Sequence, residues 1–147
     1  MIAPVKKPVV TSKYGMRMRN AKREFHDGID FISAIGFEVY AIADGEVVFD
    51  QDDYNDKLRW IDRRHSGGNM IIIKHQIHDQ EHFVRYLHLV TNKVSVGQAV
   101  KEGDLIGIYG DVGQSQGAHL HNDMYTMGWV KIDPTPIFDP AIQEAVA

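Results

Sequence analysis

The sequence predicts a mostly β protein built around a central antiparallel sheet, with little helix. Three observations carry this reading. Segments between the 13 glycines are short and rich in β-branched residues. Several alternate apolar and polar positions with the period of two of a half-buried strand. Before the C-terminal DPAIQEAVA (139–147), no segment sustains a 3.6-residue hydrophobic period. A chain of 147 residues, 44% hydrophobic and 24% charged, suits one domain over 1–147 with an ordinary core.

The elements follow in order. Lys13, Arg17, Arg19, Lys22 and Arg23 cluster near the start and are expected on a solvated loop, suited to meeting an acidic polymer. In FHDGIDF (25–31), Gly28 and the β-branched Ile29 and Ile32 disfavour a helix, so a loop running into a strand is expected. FEVYAIADGEVVFD (37–50) reads as a hairpin turning at Asp44-Gly45, with Val47 and Phe49 on one face. GGNMIIIKH (67–75) is a continuous apolar run of strand length, placed centrally. EHFVRYLHLV (81–90) alternates, with His82, Val84, Tyr86 and His88 on one face and Phe83, Arg85, Leu87 and Leu89 on the other. VSVGQAVKEGDLIGIYG (94–110) reads as strand, turn, strand. The charged stretch 50–66, with Trp60, is long for a loop in a small β domain, and such loops tend to carry function.

Charge and composition exclude several functions. A formal net charge of −4 argues against a nucleic-acid binder. With no cysteine, disulfides and thiolate zinc sites are impossible, so a transition metal must be held by imidazole and carboxylate. The N-terminal residues lack a signal-peptide pattern, and no apolar run approaches a membrane span. The expectation is therefore synthesis in the cytoplasm, without standard export or membrane insertion.

Eight histidines offer chemistry, and their settings separate them. His26 and Asp30 stand four apart across Gly28, and a bend there brings ring and carboxylate to one centre. His88 ends a strand. In GAHLHND (117–123), His119 and His121 share one face of a strand. Taken alone, each is a metal ligand, a proton carrier or an ordinary surface residue. Together, two histidines and one carboxylate make a three-ligand zinc set with a fourth position for water. Two histidines then remain to handle protons.

These motifs, in this order from about Thr11 to His121, resemble the lysostaphin/LytM-type zinc metallopeptidases of family M23. The resemblance implies a sheet forming a substrate groove, like a duplicated hybrid motif. It implies one Zn²⁺ held by His26, Asp30 and His121, with His88 and His119 as catalytic residues. It also implies an endopeptidase acting on peptide cross-links of bacterial peptidoglycan, expected to be monomeric. Tyr86 and Asn69 are expected at the groove, and Asp27 and Asp123 as outer partners of the ligands. His75 has a family counterpart without an assigned catalytic role; His65, His78 and His82 are expected to be solvated. Asn122 and Asp123 replace the phenylalanine and glutamate usual after H-x-H, a departure bearing on strand packing or substrate fit. With no export signal read, a phage endolysin or virion-associated lysin reaching the periplasm through a holin lesion is expected.

Two other classes compete. ADGEVVF with VSVGQAVKEGDLIG also resembles biotinyl and lipoyl carriers and sugar-phosphotransferase IIA domains. A carrier needs a lysine at its hairpin tip, absent at Asp44-Gly45, and a IIA domain leaves His26 with Asp30 unexplained. A zinc-retaining but non-catalytic wall-binding or amidase-activating relative is the second; the presence of all five site residues argues against it.

Overall fold

The computed structural model describes residues 1–52, 68–112 and 117–147. The expectation for the charged stretch 50–66, with Trp60 and His65, falls largely outside them. Twelve strands and one helix are described: β1 (Pro8–Ser12), β2 (Gly15–Arg19), β3 (Lys22–His26), β4 (Ile29–Ser33), β5 (Glu38–Tyr40), β6 (Gly45–Gln51), β7 (Asn69–Ile77), β8 (Gln80–Asn92), β9 (Ala99–Val100), β10 (Leu105–Tyr109), β11 (Leu120–Tyr125), β12 (Lys131–Ile132) and α1 (Thr135–Val146). Ten strands form one antiparallel sheet in the order β1-β4-β11-β8-β7-β6-β9, with β10 pairing β5 and β8, and β12 pairing β11. The mostly β reading holds.

The alternation of β7 explains its central place. Asn69, Ile71, Ile73, His75 and Ile77 are buried along one face, while the residues between them are more open. That face joins a core including Phe31, Val39, Ile42, Val84, Tyr86, Ile106, Leu120 and Met124, closed by Phe138 of α1. Burial of such side chains is worth about 1.5–3 kcal/mol each and is the main drive for the fold.

Four expectations are corrected. Asp44-Gly45 is no hairpin turn: β5 pairs β10, whereas β6 pairs β7 and β9. Gly45 is needed for close approach instead, since a Cβ there would meet the Lys74 carbonyl and stand 3.0 Å from His75 Nδ1. Val47 and Phe49 do not share a face, because a register shift between them turns Phe49 outward. The basic cluster is largely a two-stranded ribbon rather than a loop: β2 pairs β3, and both residues of the Asn20-Ala21 turn have positive φ. His82 is buried within β8 and not solvated.

Candidate metal centre

The ribbon and the sheet meet at the His26–Asp30 bend. His26 ends β3 and Asp30 lies in β4, whose neighbour β11 places His121 directly opposite Asp30. Gly28 makes this possible. A Cβ at that position would overlap the Asn122 carbonyl and lie 2.6 Å from His121 Cε1.

Three buried ligand atoms converge. His26 Nε2 lies 3.3 Å from His121 Nδ1 and 3.2 Å from Asp30 Oδ1, and Nδ1 lies 2.9 Å from the same Oδ1. Tetrahedral ligands at about 2.0 Å from a zinc ion stand about 3.3 Å from one another. Two of the separations match zinc geometry, and the third, at hydrogen-bond length, needs only about 0.4 Å of opening for the set to hold the ion.

The outer hydrogen bonds fix which nitrogen faces the centre. His26 Nδ1 donates to the Lys13 carbonyl at 2.9 Å, with Ser12 Oγ at 3.3 Å, which leaves Nε2 its lone pair. His121 Nε2 donates to Asp123 Oδ2 at 3.0 Å, which leaves Nδ1 its lone pair. Neutral rings thus aim two lone pairs and a carboxylate oxygen at one buried point, an arrangement that calls for a cation.

The electrostatics agree. Burial opposes charge on His121, yet hydrogen bonds to Asp123 and Asp30 outweigh it and raise the ring to about 9, so a proton takes the cation's part. Burial likewise works against the Asp30 carboxylate, but His121 and His26 hold its pKa well below the usual range. A second possible ligand group, Asp27, His121 and Asp123, uses the other face of the His121 ring. Lys131 Nζ already lies there, 2.6 Å from Asp27 Oδ2 and 3.4 Å from Asp123 Oδ2. The first group is the one left needing a cation.

His88 and His119 stand beside this centre, their ring centroids 4.6 Å apart. His119 Nδ1 donates to the Gly117 carbonyl at 3.0 Å and turns Nε2 toward Asp30 Oδ2, 3.7 Å away. Burial, together with the neighbouring His119 and His121 rings, pushes His88 down to about 3. His88 has φ 66°, in the left-handed region where side chains other than glycine seldom sit. This interrupts the alternation of β8 and aims His88 into the groove together with Leu87.

Tyr86 stays on the core face. It is fully buried, its hydroxyl 2.7 Å from His75 Nε2 and accepting the Ile42 N–H, so it does not line the groove. Asn69 is also buried, its amide donating to the Val90 carbonyl, while its neighbours Gly68 and Met70 line the groove. His75 belongs to the core, where burial lowers it to about 4. His78 lies in the β7–β8 turn with positive φ.

The groove has a volume of about 780 Å³ and contains His26, Asp30, His88, His119 and His121 in its lining. Two residues near the centre were not read from sequence as site residues: Arg17 was placed only in the basic cluster and Arg85 only on a strand face. Arg17 Nη1 donates to Ser12 Oγ at 2.7 Å and lies 3.6 Å from Asp30 Oδ2. Arg85 makes a two-pronged contact with Asp123. The signal for Arg85 was there: an arginine inside the apolar run FVRYL needs a partner. Of the two outer partners read from sequence, Asp123 sits against His121, and Asp27 lies farther off at 3.7 Å.

Known proteins resemble this chain in sequence and in fold. The model of peptidase family M23 matches residues 24–134. The peptidoglycan DD-endopeptidase ShyA of Vibrio cholerae is 36% identical over 104 residues, covering 70% of this chain and 21% of ShyA. The chain thus spans about a fifth of that relative's length. The catalytic domain of the prophage-encoded M23 protein EnpA from Enterococcus faecalis superposes with a TM-score of 0.66 at 26% identity, covering 86% of this chain and 88% of that one. A zinc-containing peptidase from Vibrio cholerae superposes with a TM-score of 0.62 at 29% identity, covering 85% of this chain and 35% of that one. The chain belongs to peptidase family M23.

Proposed function

We propose that this chain is a zinc-dependent endopeptidase that hydrolyses peptide cross-links of bacterial peptidoglycan, with residues 1–147 acting as one monomeric peptidase domain. The observation that carries the reading is the convergence of His26 Nε2, Asp30 Oδ1 and His121 Nδ1 on one buried point at the floor of a groove, with His88 and His119 alongside. Zinc held there supplies a Lewis acid that polarises a peptide carbonyl and acidifies water.

The remaining steps fall to side chains. His119 commits its Nδ1 proton to Gly117, so its Nε2 is an acceptor facing the centre. It takes the proton of the attacking water and returns it to the leaving amine. His88 is kept neutral by burial and offers a ring N–H to the oxyanion that develops on the scissile carbonyl. The relatives' names support the substrate: ShyA is a peptidoglycan DD-endopeptidase. The likeness to a prophage-encoded M23 protein supports a phage lysin, one that reaches the wall after host-membrane permeabilisation or on the virion.

The test is digestion of purified, cross-linked sacculi with and without a chelator, followed by mass analysis of the fragments. Chelator-sensitive release of uncross-linked peptides is expected. Intact cross-links after exposure to the zinc-loaded protein would overturn the reading.

A further inference from the structure

We propose that Arg85 is a positioning residue for the metal ligand His121, acting through Asp123; this rests on the zinc reading above. On β11, His121, Asp123 and Tyr125 follow the two-residue period along one face. Arg85 is the residue of β8 directly opposite Asp123, and Lys131 is the residue of β12 directly opposite Tyr125. Pairing register therefore brings two cations to this row of side chains.

The contacts are specific. Arg85 Nε donates to Asp123 Oδ1 at 2.7 Å, and Nη2 donates to Oδ2 at 2.6 Å. The same Oδ2 accepts His121 Nε2 at 3.0 Å and lies 3.4 Å from Lys131 Nζ. The Tyr125 ring lies 5.5 Å from Arg85 Cζ and 5.0 Å from Lys131 Nζ, holding both cations to the row. Asp123 has no exposed surface, so no water competes for these positions.

The consequence follows from geometry. The terminal torsion of an aspartate is soft, and one hydrogen bond does not set the plane of its carboxylate. A guanidinium fork does, because two parallel N–H donors fix both oxygens. With its plane fixed, Oδ2 points at His121 Nε2. A carboxylate only accepts, so the nitrogen facing it carries the hydrogen and Nδ1 is left to bind metal. Arg85 thus acts on the ligand atom from two side chains away.

The test compares zinc dissociation constants, by competition with a chromophoric chelator, for wild type, Arg85→Met and Arg85→Lys. Arg85→Met is expected to bind zinc up to about 10-fold more weakly, the low end of the loss usual when the direct partner of a metal-bound histidine, here Asp123, is removed. The zinc-loaded wild type is expected to show a downfield, slowly exchanging His121 Nε2–H proton resonance that the variant loses. A merely structural ion pair would alter melting temperature and leave both readouts in place. Arg85→Lys keeps the charge and stem without the fork, and it decides the matter if Arg85→Met does not fold. A loss of threefold or more supports the clamp, and a smaller loss overturns it. The wild-type measurement separates the two claims: no zinc bound overturns the metal reading with the clamp, whereas zinc bound equally by all three proteins overturns the clamp alone.

Discussion

Replacing Gly28 by alanine adds one methyl group at the tightest point of the candidate centre. The residue's φ is outside the left-handed region, so alanine fits the backbone and the effect is purely steric. The added carbon would stand 2.6 Å from His121 Cε1 and 2.7 Å from Nε2, besides overlapping the Asn122 carbonyl. Ordinary carbon contacts begin near about 3.5 Å, so the ring must retreat by about 1 Å, and the overlap with the Asn122 carbonyl also forces the bend away from β11. Zinc ligands tolerate about 0.2 Å, hence either movement spoils Nδ1 as a ligand. Overpacking of this kind costs about 1–3 kcal/mol. Charged wholly to the zinc-bound state, that is about 5- to 150-fold in the dissociation constant. The assay is chelator competition on the folded variant, with circular dichroism confirming the sheet. A Gly28→Ala protein that binds zinc as tightly as wild type would refute the reasoning.

Other outcomes follow from the same geometry. His26→Ala, Asp30→Ala and His121→Ala are each expected to lose stoichiometric zinc, read by plasma emission on dialysed protein. His88→Ala and His119→Ala are expected to keep zinc while turnover on sacculi falls about 10²–10⁴-fold, the usual worth of a positioned proton-transfer group. Tyr86→Phe, away from the groove, is expected to leave turnover unchanged and to cost about 1–2 kcal/mol in urea unfolding, because His75 Nε2 and the Ile42 N–H lose their partner. The metal-free protein gives a pH test. His121 is raised from 6.5 to about 9 in the folded chain, so its stabilisation is complete below about pH 6.5 and is lost as pH rises toward 9. Thermal melts of chelator-treated protein should therefore fall across that window, while zinc-loaded protein should not show the fall. A flat metal-free profile would contradict the assigned contacts of His121.

Much of the fold and the candidate site was legible because its signals are local. The bend that Gly28 allows between His26 and Asp30 and the shared face of His119 and His121 are local readings, whereas the roles of these residues came from the resemblance to family M23. What escaped was non-local or broke the period. Nothing in YLHL announces that His88 takes φ 66°, so strict alternation wrongly put Tyr86 in the groove. Asp44-Gly45 carries a hairpin dipeptide, but tertiary pairing with β7 and β9 decides its use, and the glycine serves close packing instead. The basic run became a ribbon because β2 pairs β3 around a turn in which Asn20 tolerates positive φ and the pairing holds Ala21 there despite its Cβ, which charge counting does not see. The Arg85–Asp123 pair depends on the register of two strands far apart in sequence, which one sequence does not give.

Anomalous diffraction at the zinc absorption edge, from crystals of the zinc-loaded protein, tests the central claim most directly. One peak per chain is expected, about 2.0–2.2 Å from His26 Nε2, Asp30 Oδ1 and His121 Nδ1. A peak lodged instead between Asp27, Asp123 and His121 Nε2, or no peak in the groove, would contradict it.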